Sequence, residues 1–138
     1  MDTEHIALVR RSHALFAPRA DAVGADFYRH LFELDPQARA LFTGDMQAQA
    51  RKLMEMIGAV VSLLDQPERL MASCRALGAR HAGYGVQESH YDDVGTALLK
   101  TLHAGLGDAY TEDVEDAWAM VYGEMAEHMI AGAQAGGP

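Results

Sequence analysis

The chain has one cysteine, Cys74, in 138 residues. No internal disulfide can form, and no thiolate cluster can hold a metal. A buried structural thiol is the default for a lone cysteine on an apolar helix face. Proline is scarce as well, with 4 in all. Two of them, Pro36 and Pro67, stand where helices would begin. Runs of β-branched residues are nearly absent, which argues against strands. The longest apolar run, Met56 to Leu64, contains Gly58 and Ser62 and is too short to cross a bilayer. The first residues, MDTEHIALVRRSHAL, carry charge on both sides of a four-residue apolar patch, so they do not read as a signal peptide. Positive charge is also in short supply. There are 11 Lys and Arg against 20 Asp and Glu, a net charge of −9. Without a basic stripe, neither nucleic acid nor an anionic membrane surface is an expected partner. A cytoplasmic protein is the expectation.

Apolar residues make up 49% of the chain, enough for one domain with a real core. Ala, Leu, Met, Glu and Arg are plentiful, and that composition predicts an all-α domain. The spacing predicts a first helix over Thr3 to Phe16, with Ile6, Val9, His13 and Phe16 to one side. A second starts near Asp21, turns Gly24, Phe27, Tyr28, Leu31 and Phe32 inward, and stops at Asp35-Pro36. Pro36 opens a short third helix that ends near Leu41-Phe42. Thr43-Gly44-Asp45 is a turn. A long helix from Met46 to about Asp65 carries Leu53, Met56, Ile57, Val60, Val61 and Leu64 on one stripe. Pro67 opens the fifth helix. The sixth runs from about Glu88 to Leu106, with Tyr91, Val94, Leu98, Leu99 and Leu102 inward. Thr111 begins the last, which buries Val114, Trp118, Val121, Tyr122, Met125 and Met129. The tail from Ala131 to Pro138 is expected to fray. Six long helices and one short one make a single domain over residues 1–138.

The fifth helix stands apart. Leu70, Cys74, Leu77 and His81 fall at i, i+4, i+7 and i+11, one face of a helix. That face is apolar for two and a half turns and then presents an imidazole, just before Gly83-Tyr84-Gly85. A buried imidazole needs a partner. A carboxylate or carbonyl is the ordinary one; a metal on the neutral ring nitrogen is the other. Two more polar residues sit on inward faces: Tyr28 in the second helix, and Gln49 four residues before Leu53 in the fourth. Each can reach solvent or backbone, or together they can serve as donors awaiting an acceptor. Glu124 and His128, four apart, read as a surface ion pair rather than half of a di-iron site. Gly83-x-Gly85 lacks the strand and the third glycine of a dinucleotide loop. His90 is the one rival to His81, and an outward direction is expected for it.

The order of these residues resembles a globin, in particular the single-domain bacterial haemoglobins and the globin domain of flavohaemoglobins. The segments that carry the resemblance are Phe27-Tyr28-Arg29-His30-Leu31-Phe32, Leu41-Phe42, Gln49 to Leu53, and Ala117-Trp118 with Tyr122-Gly123. The most specific stretch is His81-Ala82-Gly83-Tyr84-Gly85-Val86 through His90-Tyr91-Asp92-Asp93-Val94-Gly95. The resemblance implies a globin fold around haem b, with His81 as the proximal iron ligand and Tyr28 and Gln49 as distal donors. It implies Leu53 as the apolar distal wall, Phe42 on the porphyrin face and Tyr91 under His81. Val86 and Val94 join the cofactor-binding set, and Arg80 or Lys52 would meet a haem propionate. Gly24 and Ala50 would let their two helices cross closely. The chain departs from the pattern in three ways. The turn between Phe42 and Gln49 is short. Ala133 stands about where flavohaemoglobins carry a glutamate, so the Tyr91 side would push less on His81. No flavin or nicotinamide domain follows Pro138, so turnover is expected to need an external reductase.

Function then divides into two classes. One is reversible binding of oxygen, carbon monoxide or nitric oxide at a five-coordinate iron, with tight oxygen binding from Tyr28 and Gln49. The other is nitric oxide dioxygenase, with the same two residues as catalytic groups. The resemblance allows a monomer or a homodimer.

Overall fold

The computed structural model describes residues 2–83 and 89–135. Among them it has six α-helices and no strand: α1 Thr3–Phe16, α2 Ala20–Leu34, α3 Met46–Ser62, α4 Pro67–Gly83, α5 His90–Leu106 and α6 Glu112–Ala135. Three short 3-10 segments, Ala17–Arg19, Pro36–Leu41 and Gly107–Ala109, make the tight connections. The starts are set by small polar residues. Asp2, Asp35 and Asp45 each accept a backbone N–H two or three residues on, and the Thr111 hydroxyl accepts from the Val114 amide. Gly107 stops α5 at φ +55°, a left-handed conformation that suits glycine.

Two boundaries differ from expectation. The long helix ends at Ser62 rather than Asp65, because the Leu63 and Leu64 amides fold back on the Val60 and Val61 carbonyls and tighten the last turn. The Arg10 guanidinium of α1 donates to the part-buried Val61 carbonyl and to the Asp65 carboxylate beside this turn. At the other end, α6 continues through Ala135, where fraying was expected. Residues 131–135 are alanine-rich, which favours helix, and Gly132 is pressed against α4. Residues 136–138 lie outside the described part.

The core follows the predicted stripes. Val9, Phe16, Phe27, Leu31, Ile57, Cys74, Leu102 and Trp118 are all buried. The Trp118 indole N–H donates to the Ser12 hydroxyl at 2.8 Å, and Ser12 donates on to the Leu8 carbonyl. That chain satisfies a buried donor and pins α6 to α1. Helix pairing sets up the site. α3 packs on α2 and α1, α4 packs on α6, and α2 packs on α5. The helices bearing Gln49 and His81 hardly touch one another. No helix among the described residues is long and apolar enough to cross a membrane.

Candidate functional site

Tyr28 lies on the buried face of α2, 7% exposed. Three phenyl rings surround its own. Phe27 stands edge-on at 5.0 Å, Phe42 edge-on at 5.2 Å, and Phe32 tilted at 5.8 Å. Phe32 and Phe42 also touch each other, at 5.7 Å. Such contacts fix the ring and leave the hydroxyl as its only polar handle. Gln49, in the first turn of α3, donates from Nε2 to the Tyr28 oxygen at 3.4 Å. The phenol therefore accepts one hydrogen bond and keeps its own O–H to donate elsewhere. Burial pushes the Tyr28 pKa up, against the opposing pull of the Gln49 hydrogen bond, so this group stays a donor. The α2–α3 crossing that brings the pair together depends on Gly24. A Cβ there would meet the Ala50 carbonyl oxygen at 2.9 Å and the Ala50 Cβ at 3.0 Å. The expected close contact of these two residues is present.

One turn after Gln49, Leu53 lines an apolar cavity of about 40 Å³ together with Phe27, Ile57, Val94, Leu98 and Trp118. Leu53 and Val94 thus line one space. Ile57, Leu98 and Trp118 belong to the same lining. Their stripes were visible in the sequence, but nothing there separated cavity wall from ordinary core.

His81 sits half-buried near the end of α4, with its Nδ1 2.8 Å from the Leu77 carbonyl. A carbonyl only accepts, so Nδ1 must carry the hydrogen. In the neutral ring that leaves the lone pair on Nε2, the tautomer a metal ligand requires. A carbonyl is the ordinary partner expected for this ring, and the structure identifies it as that of Leu77, four residues back. The rival, His90, is aimed differently: its Nε2 is 3.9 Å from the Asp35 carboxylate, at the junction of α2 with the 3-10 segment.

The remaining candidates are scattered. Tyr91 is buried, and burial pushes its pKa up. It borders a cleft of about 650 Å³ between α5 and α6, shared with Asp92, Tyr122 and Glu127. The Tyr122 hydroxyl donates to the Tyr91 carbonyl at 2.6 Å. Gly95 makes room for that ring, since a Cβ there would lie 2.8 Å from it. Phe42 is half-buried in the ring cluster; Lys52 and Arg80 are exposed. Val86 lies outside the described residues, and so do Tyr84 and Gly85. No group of three or more His, Cys, Asp or Glu among the described residues could hold a metal ion. A tetrapyrrole makes no such demand, because its own nitrogens would hold the iron and a single imidazole from the protein would suffice. The donor set therefore fits haem.

A family model for globins matches residues 25–129. The chain belongs to the globin family. A flavohemoprotein of Vibrio cholerae is 29% identical over 130 residues, 92% of this globin but 33% of the relative. The globin thus spans about a third of the length of the curated relatives it matches. Among solved structures, a Rhodothermus marinus protein is 31% identical with a TM-score of 0.86, covering 98% of this globin and 94% of that chain. It is described as an engineered carbene transferase and a provisionally assigned nitric oxide dioxygenase. A bacterial globin from Campylobacter jejuni superposes with a TM-score of 0.85 at 23% identity, over 97% of both chains, and speaks for the fold alone. Family membership and relatives named flavohemoproteins imply that this globin binds haem.

Proposed function

We propose that this globin, as one domain over residues 1–138, holds haem b through His81 and reversibly binds oxygen and other diatomic gases on the opposite face. The observation that carries the reading is the His81 ring turned by Leu77 so that Nε2 bears the lone pair. Bound haem would supply an iron able to take up a small gas. The protein's own residues do the rest. His81 would hold that iron through Nε2. Tyr28, held by its three phenyl neighbours, donates a hydrogen bond toward a gas that draws negative charge as it binds. Gln49 keeps the phenol oxygen occupied, which orients the O–H. Leu53 and Val94 keep water out of the space. Tyr91 and Phe42 would complete the walls, with Lys52 or Arg80 at the propionates. A hydrogen bond to a charged acceptor contributes about 1.5–3 kcal/mol, so high oxygen affinity and slow release are expected.

The relatives support a second reading, nitric oxide dioxygenase supplied with electrons by a reductase. The flavohemoproteins and the Rhodothermus protein favour it. The two readings share a pocket and differ in turnover. A cytoplasmic site of action suits both.

The test is an absorption spectrum of the purified, reduced protein with and without carbon monoxide, beside the same spectra of His81→Ala. A haem band that shifts with carbon monoxide in the parent and is lost in the variant is expected. A parent without a haem band, or a variant with an unaltered one, would overturn the reading; in the second case His90 is the first ligand to examine. Rapid consumption of nitric oxide when a reductase is added would select the enzyme.

A further inference from the structure

The helix that carries His81 meets α6 through backbone rather than side chains. A Cβ built on Gly78 would lie 1.8 Å from the Met129 carbonyl oxygen and 2.5 Å from its carbon. A Cβ on Gly132 would lie 2.1 Å from the Arg75 carbonyl oxygen. Each glycine faces the main chain of the other helix, and helical backbone cannot yield locally as a flexible side chain does. Neither glycine has a positive φ, so conformational freedom is not what these positions need. Glycine within a helix is disfavoured against alanine. What both positions require is the absence of a Cβ.

The place of the contact matters. Gly78 lies inside the turn from Leu77 to His81, whose side-chain-to-backbone bond sets the imidazole. Arg75, which faces Gly132, is one turn earlier. The turn that aims the ring is thus the turn seated on α6. Gly58, Gly105 and Gly123, by contrast, would meet nothing within 4 Å.

We propose that the Gly78–Gly132 seam is a positioning device that sets where the His81 ring stands, and through it the strength of the iron–imidazole bond. The proposal rests on the reading of His81 as the haem ligand. A methyl group on either glycine drives α4 off α6 by well over an ångström before ordinary contact is restored. Leu77 and His81 move with the helix, and the bond to iron is bent or stretched.

The test is resonance Raman of the reduced, gas-free holoprotein in Gly78→Ala and Gly132→Ala, with Gly24→Ala as a variant that disturbs a different helix crossing. The iron–imidazole stretching band is expected to fall in frequency in both seam variants and to stay in place in Gly24→Ala. Haem transfer to an excess of scavenging apoglobin is expected to speed up by roughly 10- to 100-fold in the seam variants, the usual cost of disturbing what orients a metal-binding histidine. An unchanged band in seam variants that fold and bind haem would overturn the proposal. So would failure of both to yield holoprotein, since the seam would then be a condition of folding rather than a setting on the ligand. A parent protein without any haem band would instead sink the haem reading beneath it.

Discussion

On the α2–α3 side of the site, polar groups are held by rings; on the α4–α6 side, the imidazole is held by main chain. Tyr28 sits among Phe27, Phe32 and Phe42, with the Gln49 amide donating to its oxygen. His81 is turned by the Leu77 carbonyl, and its helix rests on α6 through two glycines. The first arrangement is made of side chains, so substitution can tune it by degrees. The second is made of backbone, where substitution moves a whole helix or nothing.

Substitutions that break this contrast should rank by what they remove. Tyr28→Phe deletes the charge-facing donor and keeps the ring packing. At about 1.5–3 kcal/mol for that bond and 1.4 kcal/mol per factor of ten, oxygen should leave roughly tenfold faster or more. Stopped-flow displacement by carbon monoxide measures this, and an unchanged rate would remove Tyr28 from the distal role. Gly24→Ala puts a methyl against the Ala50 carbonyl. Overpacking of this kind costs about 1–3 kcal/mol, read as a lower denaturant midpoint at constant slope; an unshifted midpoint would mean that the crossing has slack. Gln49→Leu removes a longer, neutral hydrogen bond. Its effect on oxygen release should be smaller, about 0.5–1.5 kcal/mol or up to roughly tenfold. An effect equal to that of Tyr28→Phe would mean that Gln49 itself meets the gas.

The smallest expected effect is with pH. Burial raises the Tyr28 pKa, so the donor stays protonated and oxygen release should be flat between about pH 6 and pH 10. Stability behaves differently above that range. Tyr110, whose buried hydroxyl has no hydrogen-bond partner among the described residues and whose ring stacks on His103, is pushed up to about 12, mostly by burial. The folded chain keeps that proton where the unfolded chain, with an ordinary tyrosine value near ~10, gives it up. The contribution is whole below about pH 10 and is lost as pH rises through about 12. Tyr110→Phe should flatten the alkaline limb of a melting-temperature profile; an unaltered limb would assign it to other groups.

The Tyr28–Gln49 side was the more legible of the two in sequence. Tyr28, Gln49 and Leu53 have side chains whose chemistry and spacing announce a shared face, and Gly24 with Ala50 marked the crossing. The helices were legible for a similar reason, since apolar periodicity and aspartate caps are local signals. The His81 side was half hidden. His81 stood out at the end of its stripe, but its partner is a carbonyl, and every residue has one. The role of Gly78 and Gly132 depends on two helices far apart in the chain, which no local pattern reports. The end of α3 falls short of Asp65 because the Leu63 and Leu64 amides turn back on the Val60 and Val61 carbonyls, which apolar periodicity does not report. The cavity wall at Ile57, Leu98 and Trp118 looks in sequence like any other core.

The central claim is that one imidazole, at position 81, supplies the axial ligand opposite Tyr28. Its most direct test is His81→Gly reconstituted with haem and titrated with free imidazole, followed by absorption of the reduced, gas-free form. The gas-free spectrum of the parent should be absent without imidazole and should return as the vacated space fills. A variant that shows the parent spectrum before any imidazole is added would contradict the account.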